Sequence, residues 1–411
     1  MSRDRLLERF LRYVQVDTTA GEPGGDYPSS PGQLELGKLL LAEMREMGIA
    51  DAEQDAFGLL YGTVPGVQSA PVVALNSHLD TSPETTGKNV RPQVIEDYQG
   101  GDIPLTGNPA KVIRVADNPE LEKLHGRTLI TTDGTTLLGG DDKAGLAIIL
   151  EAAQRLLEDP SLPRPTLRLL FTCDEEIGHG VDHVDLAKLG ADVCYTLDGP
   201  AADEINEETF SADLATVTIR GVNIHPSIAK GRMINALRIA SAYIEALPKD
   251  HQSPETTDKR DGFLHPYLIS GGVAEVEVKV LLRSFDTEEL MAHAQLLRDT
   301  AAKVARAFPG SEIEVSVIPQ YRNLRDGLDK EPRAVPLAIK AHENLGRVPR
   351  LEVIRGGTDG SALTAKGLPT PNLSSGQHNP HSPLEFACLD EMERAVEVTL
   401  ELLRLWSLEK R

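Results

Sequence analysis

The sequence contains only three cysteines in 411 residues, Cys173, Cys194 and Cys388. They are too few and too far apart for a disulfide framework. No apolar run reaches the ~18 residues of a membrane span, and residues 1–13 mix Arg with Leu without the continuous apolar stretch of a secretory signal. These absences predict a cytoplasmic protein that makes no contact with a membrane.

The sequence also lacks any cluster of Lys and Arg. Asp and Glu number 63 and Lys and Arg number 42, which leaves a formal net charge of −21. A chain this acidic repels phosphate backbones, so nucleic-acid binding is excluded. Hydrophobic residues make up 40% of the chain, enough for two or three domains with cores of their own.

The first half of the chain alternates helical and extended patterns. Helices are predicted at 34–47 and 144–157, and short apolar strands at 71–76, 166–172 and 192–197. This alternation favours an α/β fold with a largely parallel sheet flanked by helices. Residues 81–138 are rich in Gly, Pro, Thr and Asn, and so long a connection is usually functional or carries small strands of its own.

A different pattern occupies the middle of the chain. Strands at 214–220, 265–270, 274–282 and 312–318 and helices at 233–247 and 287–308 follow the order β-α-β-β-α-β, which is typical of a small ferredoxin-like α+β domain. After Pro319 the α/β pattern returns and ends in a helix at 389–408. We therefore predict a catalytic domain made of residues 1–208 and 319–411, with an inserted domain at 209–318.

Polar residues that could hold a metal follow several predicted strands. His78 and Asp80 come directly after one strand, where the His could bind a metal and the Asp could orient its ring. Asp141 and Asp142 stand between two glycines and a helix. One Asp could be a helix N-cap, but a cap does not require two, and the Walker pattern that would indicate phosphate binding is missing.

Further candidates follow the next two strands and lie near the C-terminus. Asp174, Glu175 and Glu176 are consecutive acids whose charges would raise one another's pKa in the absence of a cation. Asp198 follows the next strand, and His378 and His381 both lie near the C-terminus. Their spacing does not decide which imidazole is a ligand.

Taken together, these residues predict one site. The carboxyl ends of strands in an open α/β sheet share one crevice. Two His, two Asp and a Glu suit zinc or a related divalent ion, and a further Glu beside a ligand Glu is what a metal hydrolase needs as general base.

The sequence blocks resemble, in order, those of the di-zinc aminoacylase and glutamate carboxypeptidase superfamily. These blocks are Ser-His-Leu-Asp at 77–80, Gly-Asp-Asp-Lys-Ala-Gly at 140–145, Asp-Glu-Glu-Ile-Gly at 174–178 and His-x-x-x-Glu-Phe at 381–386. The long segment 81–138 and the blocks at 132–139, 225–231 and 356–361 are similar to those of its tripeptide aminopeptidases. The resemblance covers nearly the whole chain, including the inserted domain.

The resemblance implies a role for each residue of the site. Asp141 would bridge two Zn²⁺ ions per subunit, with Co²⁺ or Mn²⁺ as possible replacements. The remaining ligands would be His78 and Asp198 for one ion, and Glu176 and His381 for the other. Glu175 would be the general base for attack by a hydroxide that bridges the metals, Asp80 would orient His78, and the 141–142 peptide bond would be cis. The expected reaction is release of the N-terminal residue from tripeptides.

The resemblance also implies functions for the inserted domain, which in relatives forms the dimer and closes over the substrate as a lid. The expected assembly is therefore a homodimer. His225 and Asn235 would reach the substrate carbonyl or backbone, and Arg283 and Arg355 would bind its carboxylate. This chain departs from the family at Ser227, which replaces the Gly of a His-Pro-Gly motif, at Ser284 and at Gly140.

Other functions remain open at this point. One is a dipeptidase, carboxypeptidase or N-acyl amino-acid deacylase of the same superfamily, and another is a catalytically silent zinc-binding protein. The presence of Glu175 beside the predicted ligands disfavours the silent protein, which has no need of a general base.

Overall fold

The computed structural model describes residues 2–21 and 24–411. Met1, where the N-terminal segment considered above begins, lies outside the described residues. The α-helices, in chain order, are α1 Ser2–Val14, α2 Pro31–Glu46, α3 Gly140–Glu158, α4 Leu186–Leu189, α5 Ala236–Glu245, α6 Thr287–Ala307, α7 Arg325–Leu328, α8 Ala334–Asn344, α9 Asp359–Ala365 and α10 Leu389–Trp406.

The strands are, in the same order, β1 Glu53–Gln54, β2 Leu60–Val64, β3 Val73–His78, β4 Gln93–Ile95, β5 Ile103–Pro104, β6 Val112–Ile113, β7 Leu129–Thr131, β8 Leu167–Thr172, β9 Val193–Pro200, β10 Glu204–Thr209, β11 Ser211–Arg220, β12 Phe263–Gly271, β13 Glu275–Ser284, β14 Glu312–Tyr321, β15 Arg350–Ile354, β16 Asn372–His378 and β17 Phe386–Cys388. Among the described residues, no helix is long and apolar enough to cross a membrane.

The chain forms two compact units. The first contains residues 1–207, 327–352 and 358–411, and the second contains 208–326 and 353–357. The domain inserted at 209–318 in our prediction lies within the second unit. Our prediction assigned residues 319–326 and 353–357 to the catalytic domain instead, because neither segment has a sequence pattern that separates it from its neighbours.

A mixed sheet organises the first unit, with strand order β1-β2-β8-β3-β9-β16-β17-β7-β4. The inner strands β8, β3, β9 and β16 are parallel to one another, and the pairs on either side of them are antiparallel. Every residue of β3 is buried, as expected for a parallel strand covered on both faces. This architecture confirms the predicted α/β fold class.

Helix α3 lies at the centre of this unit and is buried along most of its length. Helices α1 and α10 pack against it. The carboxylate of Glu151 on α3 is fully buried and accepts hydrogen bonds from Arg5, Arg9 and Arg155, at 2.6 to 2.9 Å for the shortest contact of each. A buried charge requires such partners, because an unpaired carboxylate would remain desolvated.

The second unit has the predicted order β11-α5-β12-β13-α6-β14. Its sheet is fully antiparallel, with order β12-β13-β11-β14, which is the ferredoxin-like arrangement. The last strand was predicted to end at residue 318, before Pro319, but β14 continues to Tyr321. This strand lies at the sheet edge, where a residue without an N–H is tolerated, and the pairing shifts register opposite Pro319, between Ala212 and Asp213.

Candidate metal centre

The sheet places the predicted ligands at the ends of neighbouring parallel strands. His78 is the last residue of β3, and Asp198 lies near the end of β9. Glu175 and Glu176 begin a 3₁₀ turn, Glu175–Ile177, shortly after β8. Because β8, β3 and β9 are adjacent and parallel, their carboxyl ends lie at one edge of the sheet.

Two groups of side chains meet there, and Asp141 belongs to both. In the first group, His78 Nε2 lies 3.0 Å from Asp141 Oδ1 and 3.8 Å from Asp198 Oδ1. In the second, His381 Nε2 lies 2.9 Å from Glu176 Oε2 and 3.4 Å from Asp141 Oδ2. Within each group the ligand atoms all lie within 4.8 Å of one another. Tetrahedral ligands about 2.1 Å from a zinc ion are roughly 3.4 Å apart, so both groups have a suitable spacing.

The burial and the raised pKa values of the carboxylates in these groups also favour a bound cation. Glu176 Oε1 is buried and has no hydrogen-bond partner. Burial and the charge of Asp141 raise the pKa of Glu176 to about 7. Burial raises the pKa of Asp198 well above its ordinary value, and Asp141 adds to the shift. Divalent cations would compensate these carboxylate charges.

The two imidazoles provide the positive charge in this cluster. Burial alone would lower the pKa of His381, but hydrogen bonds to Asp141 and Glu176 outweigh it and raise the pKa to about 11. Burial would also lower the pKa of His78, but hydrogen bonds to Asp141 and Asp80 outweigh this effect and raise the pKa well above its ordinary value. A cation would replace these protons, since a ligating imidazole must be neutral.

Asp80 contacts both His78 and the turn that carries the two glutamates. Its Oδ1 lies 3.3 Å from His78 Nδ1. The same oxygen accepts a hydrogen bond from the Glu175 N–H at 3.1 Å, and Oδ2 accepts one from the Glu176 N–H at 3.0 Å. The contacts to the turn were not predicted, because backbone donors leave no signal in residue type.

Glu175 belongs to neither group of possible ligands. Burial raises its pKa well above the ordinary value, and the charge of His78 opposes this shift only in part. A carboxylate with a raised pKa beside a metal centre has the property required of a general base near neutral pH.

Asp174, the first of the three consecutive acids, points to a different part of the molecule. It has a left-handed backbone with φ of 61°, and its carboxylate accepts hydrogen bonds from the Ser29 N–H at 2.7 Å and from Gln33 Nε2 at 2.6 Å. It therefore anchors the start of α2 and leaves Glu175 and Glu176 for the site.

Asp359 is a buried acid beside the site, and no role was predicted for it. Its Oδ2 accepts a hydrogen bond from the Thr172 hydroxyl at the end of β8, and burial raises its pKa to about 6. A Cβ on Gly180 would come within 1.9 Å of Asp359 Oδ1, so this approach requires glycine. The block at 356–361 contained the signal, since it resembled the family.

Two further expectations concern the peptide bond after Asp141 and the choice between His378 and His381. The peptide bond between Asp141 and Asp142 is cis, as the resemblance implied. His378 lies outside both groups: its Nε2 is 2.6 Å from Glu391 Oε2, and its ring stacks on Phe386 with centroids 4.4 Å apart. The geometry therefore brings His381, and not His378, to the other candidate ligands.

The four predicted substrate-binding residues all belong to the second unit. Asn235 Oδ1 accepts a hydrogen bond from the Leu237 N–H at 3.0 Å and caps α5. Arg283 donates to the Leu282 carbonyl at 2.9 Å. Arg355 donates to the carbonyls of Lys259 at 2.8 Å and Asp261 at 3.0 Å, so much of its donor capacity is used within its own unit.

His225 is exposed and begins a short 3₁₀ turn, Pro226–Ile228. Its Nδ1 accepts a hydrogen bond from the Ser227 N–H at 3.3 Å and lies 2.7 Å from the Ser227 hydroxyl. Because Nδ1 is an acceptor, a neutral ring carries its proton on Nε2. Ser227, which departs from the family pattern, thus contacts the ring directly.

An α/β sheet that gathers imidazoles and carboxylates at its strand ends, with a ferredoxin-like unit inserted, defines a metal-dependent hydrolase. The chain belongs to the peptidase family M20/M25/M40, which matches residues 133–405.

Relatives within this family confirm the resemblance drawn from the sequence blocks. The chain is 41% identical over 406 residues to a peptidase T of Geobacillus thermodenitrificans and 39% identical to one of Listeria innocua, with at least 98% of each chain covered. It shares its fold with a tripeptidase from Staphylococcus aureus, with a TM-score of 0.78 at 24% identity over 99% of both chains. An aminopeptidase PepT from Bacillus cereus gives a TM-score of 0.76 at 24% identity over 98% of both chains.

Proposed function

We propose that this peptidase removes the N-terminal residue from tripeptides and requires two zinc ions. The proposal rests above all on Asp141, which presents one carboxylate oxygen to each of two His-containing groups. The names of the relatives support the substrate class.

His78, Asp141 and Asp198 would hold one ion, and Asp141, Glu176 and His381 the other. Mixed imidazole and carboxylate ligands suit Zn²⁺, with Co²⁺ or Mn²⁺ as alternatives. When bound, the two cations would lower the pKa of water and polarise the scissile carbonyl.

The chain's own residues would then move the protons. Glu175 would accept the proton of the attacking water and pass it to the nitrogen of the leaving amine. Asp80 would hold Glu175 in place through the backbone N–H of that residue. The buried surroundings that raise the pKa of Glu175 make the carboxylate a stronger proton acceptor.

The second unit would contribute substrate recognition. His225 would donate its Nε2–H to the oxyanion of the substrate, which the hydrogen bonds from Ser227 to Nδ1 favour. Asn235 would contact the peptide backbone, and Arg283 would bind the terminal carboxylate. Arg355 is the weakest of the four candidates, because backbone carbonyls already occupy its Nη1.

We also propose a homodimer formed through the edge strand β12. Three consecutive apolar residues on this strand, Tyr267, Leu268 and Ile269, are 45 to 49% exposed, and residues 266–273 carry no charge. Edge strands that stay unpaired are usually protected by charged residues or bulges. The pairing of β12 with β13 shifts register between Pro266 and Leu268, but no charged residue protects the apolar residues that follow. Tyr267→Lys with Ile269→Lys should yield monomers in sedimentation, and an unchanged dimer would contradict this interface.

The proposed location is the cytoplasm. Cys173, Cys194 and Cys388 are all buried free thiols, which is the usual state of cysteine in a reducing compartment. Fractionation of the cells that make the protein, followed by detection with an antibody, would test this.

The substrate proposal is tested with three related peptides: a free tripeptide, its N-acetyl form and the dipeptide that lacks one of its residues. An aminopeptidase specific for tripeptides should cleave the free tripeptide and reject the N-acetyl form. Cleavage of the N-acetyl peptide at a similar kcat/KM would indicate a deacylase or carboxypeptidase, and preference for the dipeptide would indicate a dipeptidase.

A further inference from the structure

We propose that Gln377 and Glu385, each four residues from His381, are positioning residues that set the geometry of both candidate metal sites. This inference rests on the metal centre of the proposed function. Neither residue belongs to the two groups of possible ligands.

Glu385 fixes the backbone that carries Asp141. Its carboxylate is buried, with 1% of the residue exposed. Oε2 accepts hydrogen bonds from the N–H groups of Leu138 at 2.7 Å and Gly139 at 2.8 Å, and Oε1 accepts one from the Asp141 N–H at 3.0 Å. One side chain thus ties the segment that contains His381 to the loop before α3.

Gln377 acts on the other side of the centre. Its Nε2 donates to the Asp198 carbonyl at 2.9 Å and to Asp198 Oδ1 at 3.2 Å. Oδ1 is the atom that faces His78. The amide therefore fixes the rotation of the carboxylate that would complete the first site.

The chain between these two residues is irregular but well anchored. His381 and Asn379 have positive φ values of 61° and 52°. The His381 carbonyl accepts a hydrogen bond from the Thr85 hydroxyl at 3.0 Å, and Asn379 donates to Asn118 Oδ1 at 2.7 Å. Because the backbone of residues 378–384 is held in this way, Glu385 and Gln377 have fixed positions from which they orient Asp141 and Asp198.

The two contacts should have different consequences for the metals. Asp198 belongs to one group only, whereas Asp141 is shared. Loss of the Gln377 amide should therefore weaken one site, and loss of the Glu385 carboxylate should weaken both. Removing a partner that orients a ligand typically lowers metal affinity by about 10- to 100-fold.

The test measures zinc bound per chain at a series of buffered free-zinc concentrations, together with the thermal midpoint. The zinc-loaded variants are Gln377→Met, which keeps the side-chain length, and Glu385→Gln, which keeps the shape. Glu151→Gln is the matched control, because it changes a buried Glu in the same unit that contacts arginines and no candidate ligand. If Glu385→Gln does not fold, Glu385→Asp replaces it.

We expect Gln377→Met to release one of two zinc ions at about 10- to 100-fold higher free zinc, with the other unchanged. Glu385→Gln should shift both ions by a similar factor, whereas Glu151→Gln should lower the thermal midpoint alone. Wild-type release curves in both test variants, or equal zinc loss in the control, would overturn the inference. A wild-type protein that binds fewer than two zinc ions would overturn the metal centre itself and this inference with it.

Discussion

The roles of Glu175 and Glu176 can be separated by making the same change at each position. The two residues are adjacent in one 3₁₀ turn, and both of their N–H groups donate to Asp80. Substitution by Gln keeps these backbone contacts and the side-chain shape. Glu176 Oε2 lies 2.9 Å from His381 Nε2, whereas Glu175 belongs to neither group of possible ligands.

The expected results differ in kind. General-base catalysis contributes about 10²- to 10⁴-fold, so Glu175→Gln should raise the activation barrier by roughly 2.7 to 5.4 kcal/mol at 1.36 kcal/mol per tenfold. It should keep two zinc ions per chain, with little change in KM. Glu176→Gln removes the charge of a proposed ligand and should lose one zinc ion on desalting.

The assay combines kcat and KM on a free tripeptide with zinc content by atomic absorption after desalting. Thermal unfolding of each variant is the control for folding. A Glu175→Gln variant that kept more than about a tenth of wild-type kcat would refute the role of Glu175 as general base. Equal zinc loss in the two variants would refute the different roles of Glu175 and Glu176.

Three further perturbations follow from the structure. Removal of the metals by a chelator should lower the thermal midpoint, because ions that bind the folded chain and not the unfolded one stabilise the fold. Added zinc at 1,000 times its Kd should restore about 4 kcal/mol of the free energy of unfolding, and an unchanged midpoint would contradict this. Ser227→Gly should lower kcat about fivefold, the value of one hydrogen bond of about 1 kcal/mol, with zinc content unchanged; a wild-type kcat would show that the hydroxyl does not orient His225. Burial lowers the pKa of His342, so the stability that this residue contributes is present above the unfolded pKa of about 6.5 and is lost as the pH falls, by up to about 1.4 kcal/mol per pH unit. The free energy of unfolding in urea should therefore differ less between pH 5 and pH 7 in His342→Gln than in the wild type. An equal difference in the two proteins would contradict this.

Much of the site could be predicted because buried parallel strands are short apolar runs whose ends share one edge of the sheet. The strand predicted at 71–76 is β3, which continues to His78, and the one predicted at 192–197 is β9, which continues through Asp198. The residues just after each run were therefore brought together although they are far apart in sequence.

The rest depended on backbone conformation, which residue type does not reveal. Asp174, Glu175 and Glu176 look equivalent in sequence, but the left-handed backbone of Asp174 turns its carboxylate toward Ser29. The spacing also left His378 and His381 equivalent. The strand β16 ends at His378, which packs on Phe386, and only the irregular segment beyond it brings His381 to Glu176.

Domain boundaries were hard to predict for a different reason. Residues 353–357 belong to the second unit although more than 25 residues separate them from the rest of it. A short segment of this kind has no hydrophobic period of its own. Phe210 and Phe263, which lie beneath the Arg355 guanidinium, are distant in sequence and could not signal the contact.

The order of strands in the central sheet has a consequence for synthesis of the chain. Strand β16 lies between β9 and β17 inside the sheet, yet it is among the last segments to be made. Until it emerges from the ribosome, β9 has an unpaired edge, and His381 is absent. With His381 as a ligand of the proposed metal centre, the nascent chain would not yet hydrolyse peptides. Its open edge is a site where chaperones would have to prevent aggregation.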